Sequence, residues 1–268
     1  MIIYNFMVNI IYSIDFLYLI FIISTVKIKK EILGLNKINN YNNFEEDLPK
    51  KDLLLDEKDY FLIEYFDFLS INGDKKVKIK GLGEKFASIN SFIFEYLKEY
   101  HIPVAFVKSH DKSLLKFIKY KKFPFSIKIL NVIDKRTSKI FNKKEGELLG
   151  LPIFEIHLGD SKDSLISESH LLAFDLCSME DFKIVNRICS KINAVLKSFF
   201  ERRGYLMAET RCDFGKFEDK IFVVDDFTPR SLKIIALNKD IKGPDPYKFT
   251  TSAEIRHYTE HLFNIMST

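Results

Sequence analysis

A chain of 268 residues that is 47% hydrophobic and 29% charged is long enough for a large core and too apolar to stay disordered. Lys and Arg number 41 against 37 Asp and Glu, a net charge of +4, which suits anionic small molecules and lacks the strong excess of a nucleic-acid binder. Three cysteines, Cys177, Cys189 and Cys212, without metal-ligand spacing exclude a disulfide framework and point to a reduced, cytoplasmic protein.

Residues 8–26, VNIIYSIDFLYLIFIISTV, are nearly long enough to span a bilayer as a helix. Lys27, Lys29 and Lys30 follow and would leave the rest of the chain on the cytoplasmic side. Asp15, near the middle, would cost about 3 kcal/mol there. No basic start and no small-residue cleavage site marks a signal peptide. Three readings stand: upstream sequence translated from too early a start, a membrane anchor, or an extra buried element. A membrane is an expected partner only under the second.

Residues 30–58 are polar, with a short strand expected near 31–35 and a loop around 45–51. Residues 59–66, DYFLIEYF, read as a strand, and Asn72-Gly73 as a turn. Phe86, Ile89, Ile93, Tyr96 and Leu97 fall on one helical face, and this helix should stop before His101. Strands are expected at 104–107, 125–133 and 152–158. The strongest helix covers 179–203. Ser178 with Asp181 supplies its cap, Val185, Ile188, Ile192, Val195 and Phe199 its buried stripe, and Gly204 its C′ residue. Two strands, 205–211 and 221–225, are expected to join through Phe214-Gly215, and a last helix covers 251–265. Mixed helices and antiparallel hairpins give an α+β or α/β protein.

His257 and His261 are spaced i, i+4 but lack a third metal ligand. The basic runs at 112–122 and 135–144 carry no nucleic-acid motif and read as solvated faces. No nucleophile–base pair stands out.

Five segments, in order over roughly residues 31–235, resemble one enzyme family. KKEILGLNKINNY is similar to an opening strand and phosphate loop, with Lys37 as its lysine and Asn36 at the usual glycine. Lys80-Gly81-Leu82-Gly83-Glu84, then Phe94-Glu95-Tyr96-Leu97 and His101-Ile102-Pro103, resembles K-G-x-G-E, F-E-Y-L and G-I-P. Phe123-Pro124-Phe125-Ser126 leads to Leu130-Asn131, where the family strand ends in Arg-Asn. Glu145-Gly146, Pro152 and Glu155 fit a fourth segment, although its lysine and paired aspartates shrink to Gly159, Asp160, Ser161 and Asp163. Gly204–Gly215, GYLMAETRCDFG, lies without a gap on G-I-x-L-V-D-F-K-L-E-F-G. Asp225 to Lys233 then lies on D-E-I-S-P-D-S-x-R. The family is that of the SAICAR synthetases (phosphoribosylaminoimidazole-succinocarboxamide synthases).

The resemblance implies an α+β fold of two lobes, with antiparallel sheets, packed helices and a nucleotide cleft between the lobes. The expected divisions are 1–26 as an extension, 27–124 as the N-terminal lobe and 125–268 as the C-terminal lobe. It implies an ATP-dependent ligase that joins aspartate to the carboxylate of an imidazole ribonucleotide, with ATP and Mg²⁺ as cofactors and no nucleic acid; an oligomer is open. Lys37, Lys80, Gly81, Gly83 and Arg211 are implied at the nucleotide, Asp213 and Asp225 at the metal, Arg211 and Asp225 in catalysis, and Asn131 and Lys233 at the substrate. Glu209, Arg211 and Asp213 share strand parity and so one face. Leu130 removes a charged donor and Arg230 reverses a charge. These departures set a second expectation: a relative that no longer ligates and serves as a nucleotide-binding or scaffold protein.

Overall fold

The structure, a computed structural model, describes residues 54–57, 59–71, 75–159, 164–224, 227–238 and 243–267. The apolar segment 8–26, the expected strand at 31–35, the loop at 45–51 and Lys37 lie outside the described residues. So do Asn72-Gly73, Asp160, Ser161, Asp163 and Asp225. No described helix is long and apolar enough to cross a membrane.

The described chain begins with β1 (Leu54–Glu57), β2 (Tyr60–Glu64), β3 (Phe68–Ile71), β4 (Lys75–Lys78), α1 (Leu82–Glu99), β5 (Phe106–Asp111) and β6 (Leu114–Ile118). It continues with β7 (Lys121–Val132), α2 (Lys135–Phe141), β8 (Leu148–His157), β9 (Leu165–Ile166), α3 (Glu168–Ala173) and α4 (Met179–Glu201). It ends with β10 (Tyr205–Phe217), β11 (Lys220–Val224), β12 (Leu232–Ala236) and α5 (Ser252–Ser267). The strands form an antiparallel sheet β1-β2-β6-β5, a second sheet β11-β10-β7-β8-β9 with β12 also on β10, and the hairpin β3-β4. The architecture is α+β, as the resemblance implies.

α1 buries Phe86, Ile89, Ile93 and Leu97, the stripe read from the sequence, while Tyr96 stays half-buried. It opens at Gly81, in the left-handed region at φ 76°, and ends at Tyr100. α4 is capped by Ser178, whose side chain accepts from the Asp181 amide at 3.0 Å; its C-cap is Arg202, so Gly204, at φ 79°, lies one residue beyond the expected C′ place. Phe125, Ile127 and Ile129 of β7 and Cys212 and Phe214 of β10 join Phe182, Val185, Ile188 and Ile192 of α4 in one core. Phe94 of α1 sits at its aromatic centre, 5.5–5.7 Å from the rings of Phe106, Phe117 and Phe227. Each such pair adds about 0.5–1.5 kcal/mol beyond its buried area.

The two larger sheets meet at a short backbone seam. Ala105 donates to the Val223 carbonyl at 3.0 Å, and Val223 donates to the Pro103 carbonyl at 2.9 Å. Ile118 of β6 donates to the Ala105 carbonyl at 2.8 Å, so one segment serves both sheets.

One expected connection is corrected. Phe214-Gly215 is not a turn; β10 runs through it to Phe217, and the reversal comes at Glu218-Asp219, with Glu218 at φ 53°. Gly215 serves close approach instead: a Cβ there would stand 2.5 Å from Cδ2 of Tyr120.

Candidate active site

The core takes one side of β10 and leaves Glu209, Arg211 and Asp213 on the other. Strand alternation alone aligns these three, and a bulge sets their phase. Met207 pairs with Ile234 and Glu209 with Lys233, so Ala208 is one residue too many on β10. Met207 faces the main core, whereas Ala208 packs with Val132 and Leu206 in a small separate cluster. The extra residue turns Glu209 onto the face that Arg211 and Asp213 also occupy.

Cross-strand register extends this face in rows. Arg211 is opposite Lys128, which is opposite Glu155. Asp213 is opposite Ser126, which is opposite His157. Glu209 is opposite Leu130 on one side and Lys233 on the other. Arg211 is preset by its neighbours: Nε donates to Ser126 Oγ at 2.7 Å and Nη2 to the Gly159 carbonyl at 3.0 Å. Asp213 lies 3.6 Å from the Lys122 ammonium. Its other strand neighbour is Val224, the residue before Asp225.

The centre of the face is Lys128. Its Nζ lies 3.1 Å from Asp134, 3.5 Å from Glu209 and 3.9 Å from Glu155. Burial pulls the Lys128 pKa down, but Glu209, Asp134 and Glu155 outweigh it and leave it above the ordinary lysine value. Asp134 also caps α2, accepting from the Thr137 amide at 2.8 Å. Glu155, with a side chain only 4% exposed, is paired with Arg136 and lies 3.2 Å from His157 Nε2. Burial raises the Glu155 pKa, yet His157, Arg136 and Lys128 bring it below the usual glutamate value. Burial raises the Asp134 pKa as well, and the Thr137 amide and Lys128 together bring it below the usual aspartate value.

Lys233 belongs to the same face but is only 6% exposed. Its ammonium donates to the Pro229 carbonyl at 2.5 Å and lies 4.1 Å from the Phe249 ring centroid. Burial drives its pKa down to about 7, against the pull of Glu209 and with the help of Arg230 and Lys128.

Asn131 lies on the opposite side, against α4. Its Nδ2 donates to Asn193 Oδ1 at 2.8 Å and to the Met207 carbonyl at 3.0 Å, and Asn193 Nδ2 donates back to Asn131 Oδ1 at 3.2 Å. Gly81 and Gly83 stand at the start of α1, apart in sequence and sheet from the β10 face. Their amides donate to Asp67 Oδ2 at 2.9 Å and Oδ1 at 3.0 Å. This carboxylate of the chain itself occupies the helix N-terminus, where an anion is favoured. Burial raises the Asp67 pKa, and the Gly83, Gly81 and Leu82 amides outweigh that and lower it. A Cβ on Gly83 would lie 2.1 Å from the Tyr65 carbonyl oxygen, so only glycine lets α1 approach the chain just after β2 so closely. Lys80 is exposed beside this turn.

Arg211, Asp213 and Lys233 thus share a face, Asn131 lies behind it, and Lys80, Gly81 and Gly83 stand at the start of α1. Lys37 and Asp225 lie outside the described residues. No group of three or more His, Cys, Asp or Glu side chains able to hold a metal occurs among the described residues. Sequence reasoning did not single out Lys128, Asp134, Arg136 or His157. One signal was available: Lys128 is the only charge in the run FPFSIKILNVI, residues 123–133.

The family model described as SAICAR synthetase matches residues 50–249. A phosphoribosylaminoimidazole-succinocarboxamide synthase of Sulfolobus acidocaldarius is 28% identical over 218 residues, 79% of this chain and 92% of that one. One from Thermococcus sibiricus is 29% identical over 219 residues, 80% and 94% of the two chains. A solved SAICAR synthetase (Type-2) in complex with ADP has a TM-score of 0.74 at 24% identity, over 83% of this chain and 97% of that chain. That likeness speaks for the fold.

Proposed function

The chain belongs to the SAICAR synthetase family, and on that premise we propose that it is an ATP-dependent ligase of purine biosynthesis. It joins L-aspartate to the carboxylate of carboxyaminoimidazole ribonucleotide. A carboxylate oxygen of the ribonucleotide attacks the γ-phosphorus of ATP, and ADP leaves. The aspartate amine then attacks the acyl carbon of the resulting acyl phosphate, phosphate departs, and the amine loses a proton as the amide forms. The relatives' names support the reaction and the ADP complex of the solved relative supports the nucleotide.

The observation that carries this reading is the common face of Glu209, Arg211 and Asp213. Arg211, held by Ser126 and the Gly159 carbonyl, is oriented before any ligand arrives, which lowers the cost of binding phosphoryl or carboxylate oxygens. Asp213 offers the hard oxygen that Mg²⁺ prefers, and with Asp225 would hold that ion through one or two carboxylates plus nucleotide phosphates. Mg²⁺, when bound, would neutralise charge on those phosphates. Lys80 and Lys37 are read as further phosphate cations. Gly81 and Gly83 enter by shaping the turn, since their amides are engaged with Asp67. Asn131 steadies the sheet from behind, and Lys233 is read at the substrate end, its amine donating to the Pro229 carbonyl. Residues 27–124 and 125–268 are read as the two lobes, with β7 running from one into the other.

Purified protein is to be incubated with ATP, Mg²⁺, aspartate and the ribonucleotide while the amide product is followed. Turnover is expected. Its absence with ADP binding retained would replace this reading by the alternative, a nucleotide-binding relative that no longer ligates.

A further inference from the structure

We propose that Lys128 is the substrate-positioning cation of this site, the charge set among three carboxylates that lets this part of the face receive the anionic ribonucleotide; the inference rests on the ligase reading above. Asp134, Glu155 and Glu209 come from three elements, the cap of α2, β8 and β10, and all three lie within 3.9 Å of one ammonium. Arg136 pairs with one of them, Glu155. Without Lys128, the three carboxylates would lose the one cation they share and, with only Glu155 still in an ion pair to Arg136, would repel a substrate that carries a phosphate and a carboxylate of its own.

The position fits the task. Lys128 is opposite Arg211 in the β7–β10 register, so the two cations are cross-strand neighbours. It also shares a strand face with Leu130, two residues on, where the resembling strand carries arginine. Leu130 is fully buried and offers no donor, whereas the Lys128 side chain keeps 21% of its surface exposed. A lysine with only a structural duty has cheaper solutions, since an apolar residue in place of a buried ion pair is often neutral or stabilising when its partners are replaced too. Here three acids are retained around it, on the face that bears Arg211 and Asp213.

The test uses the full chain and four proteins: wild type, Lys128→Met, Lys128→Gln and Lys128→Arg. Each is checked by thermal melting, assayed for amide formation, and titrated calorimetrically with carboxyaminoimidazole ribonucleotide in the absence of ATP. Lys128→Gln keeps a donor to the carboxylates without the charge, and it carries the test if Lys128→Met does not fold. The neutral variants should raise KM and Kd for the ribonucleotide by about 10- to 100-fold, the scale of one charged contact, with KM for ATP moving less than threefold. Lys128→Arg should restore ribonucleotide affinity to within about threefold of wild type, as one retained positive charge predicts. Unchanged ribonucleotide affinity in the folded neutral variants, or an equal loss for ATP, would overturn the proposal. Wild type that binds the ribonucleotide but never forms amide defeats the ligase reading alone, because the calorimetric comparison still decides Lys128. Wild type that binds no ribonucleotide defeats the Lys128 proposal.

Discussion

At the scale of single residues, this protein spends charge in unusual places. Lys233 is the clearest case, an amine under Phe249 with its donor committed to a backbone carbonyl. Burial brings its pKa to about 7 in the folded chain, against about 10.4 in an unfolded one. Between those values the unfolded state binds the additional proton, so stability must rise with pH across the window from about 7 to about 10. Below the folded pKa both states are charged, and the folded chain bears the full penalty of a buried cation. Lys233→Met should remove this slope: relative to the variant, wild type gains stability as pH rises from 7 to 10. Urea melts of both proteins at pH 7, 8, 9 and 10 check it. A stability difference that stays flat or falls with pH would show that the amine is solvated. Gly83 is the uncharged counterpart, a residue chosen for what it lacks. The Tyr65 carbonyl occupies the place a side chain would take, and the Asp67 clasp on the adjacent amides depends on that closeness.

At the scale of elements, periodicity carried far where one face is apolar. α1 and α4 were legible because their buried positions recur at helical spacing, and the ends of α4 were written in Ser178 and, to within a residue, Gly204. β10 was not, because Gly215 has two opposite uses in a strand pattern, a turn or a close approach, and sequence cannot separate them. The aromatic that decides is Tyr120, 95 residues away in sequence. Removing the space should therefore destabilise in a way that Tyr120 controls. Gly215→Ala is expected to lose about 1–3 kcal/mol by overpacking, and Tyr120→Ala in the same chain should recover part of it. A double-mutant cycle by denaturant melts reads the coupling, which should exceed about 0.5 kcal/mol for residues in contact; additivity would mean the ring swings aside without strain. The charged face shows the same limit. Glu209, Arg211 and Asp213 lie on one strand, so their parity revealed them. Lys128, Asp134, Glu155 and Arg136 come from three further elements, and only the sheet register together with the placement of α2 beside it unites them. The bulge at Ala208 was hidden too, since an extra residue in a strand leaves no mark in composition.

At the scale of the whole molecule, one hydrophobic core runs under both larger sheets, and the Pro103–Ala105 seam joins their backbones. Such continuity makes ligand binding at the β10 face a stabilisation of the entire core, because local opening there must break the same packing. A ligand that binds only the folded state stabilises by mass action, about 2.7 kcal/mol at one hundred times its Kd. For a core of this size that corresponds to a rise in Tm of roughly 5–10 °C. ADP is the suitable probe, since it binds without turnover. ADP alone should raise Tm, and Mg²⁺ added with ADP should raise it further, because a divalent ion shared by phosphates and a carboxylate binds better than either alone. Asp213→Asn removes the charge that favours the ion while keeping the strand's side-chain volume. This variant should keep the shift caused by ADP alone and lose most of the increment caused by Mg²⁺. Differential scanning fluorimetry of wild type and Asp213→Asn, with ADP, with Mg²⁺ and with both, gives the comparisons needed. An undiminished Mg²⁺ increment in Asp213→Asn would remove Asp213 from the metal site. No shift with ADP in either protein would remove the nucleotide from the whole reading. The intermediate result, an ADP shift without a Mg²⁺ increment even in wild type, would keep the fold's nucleotide site and deny it the metal that phosphoryl transfer needs.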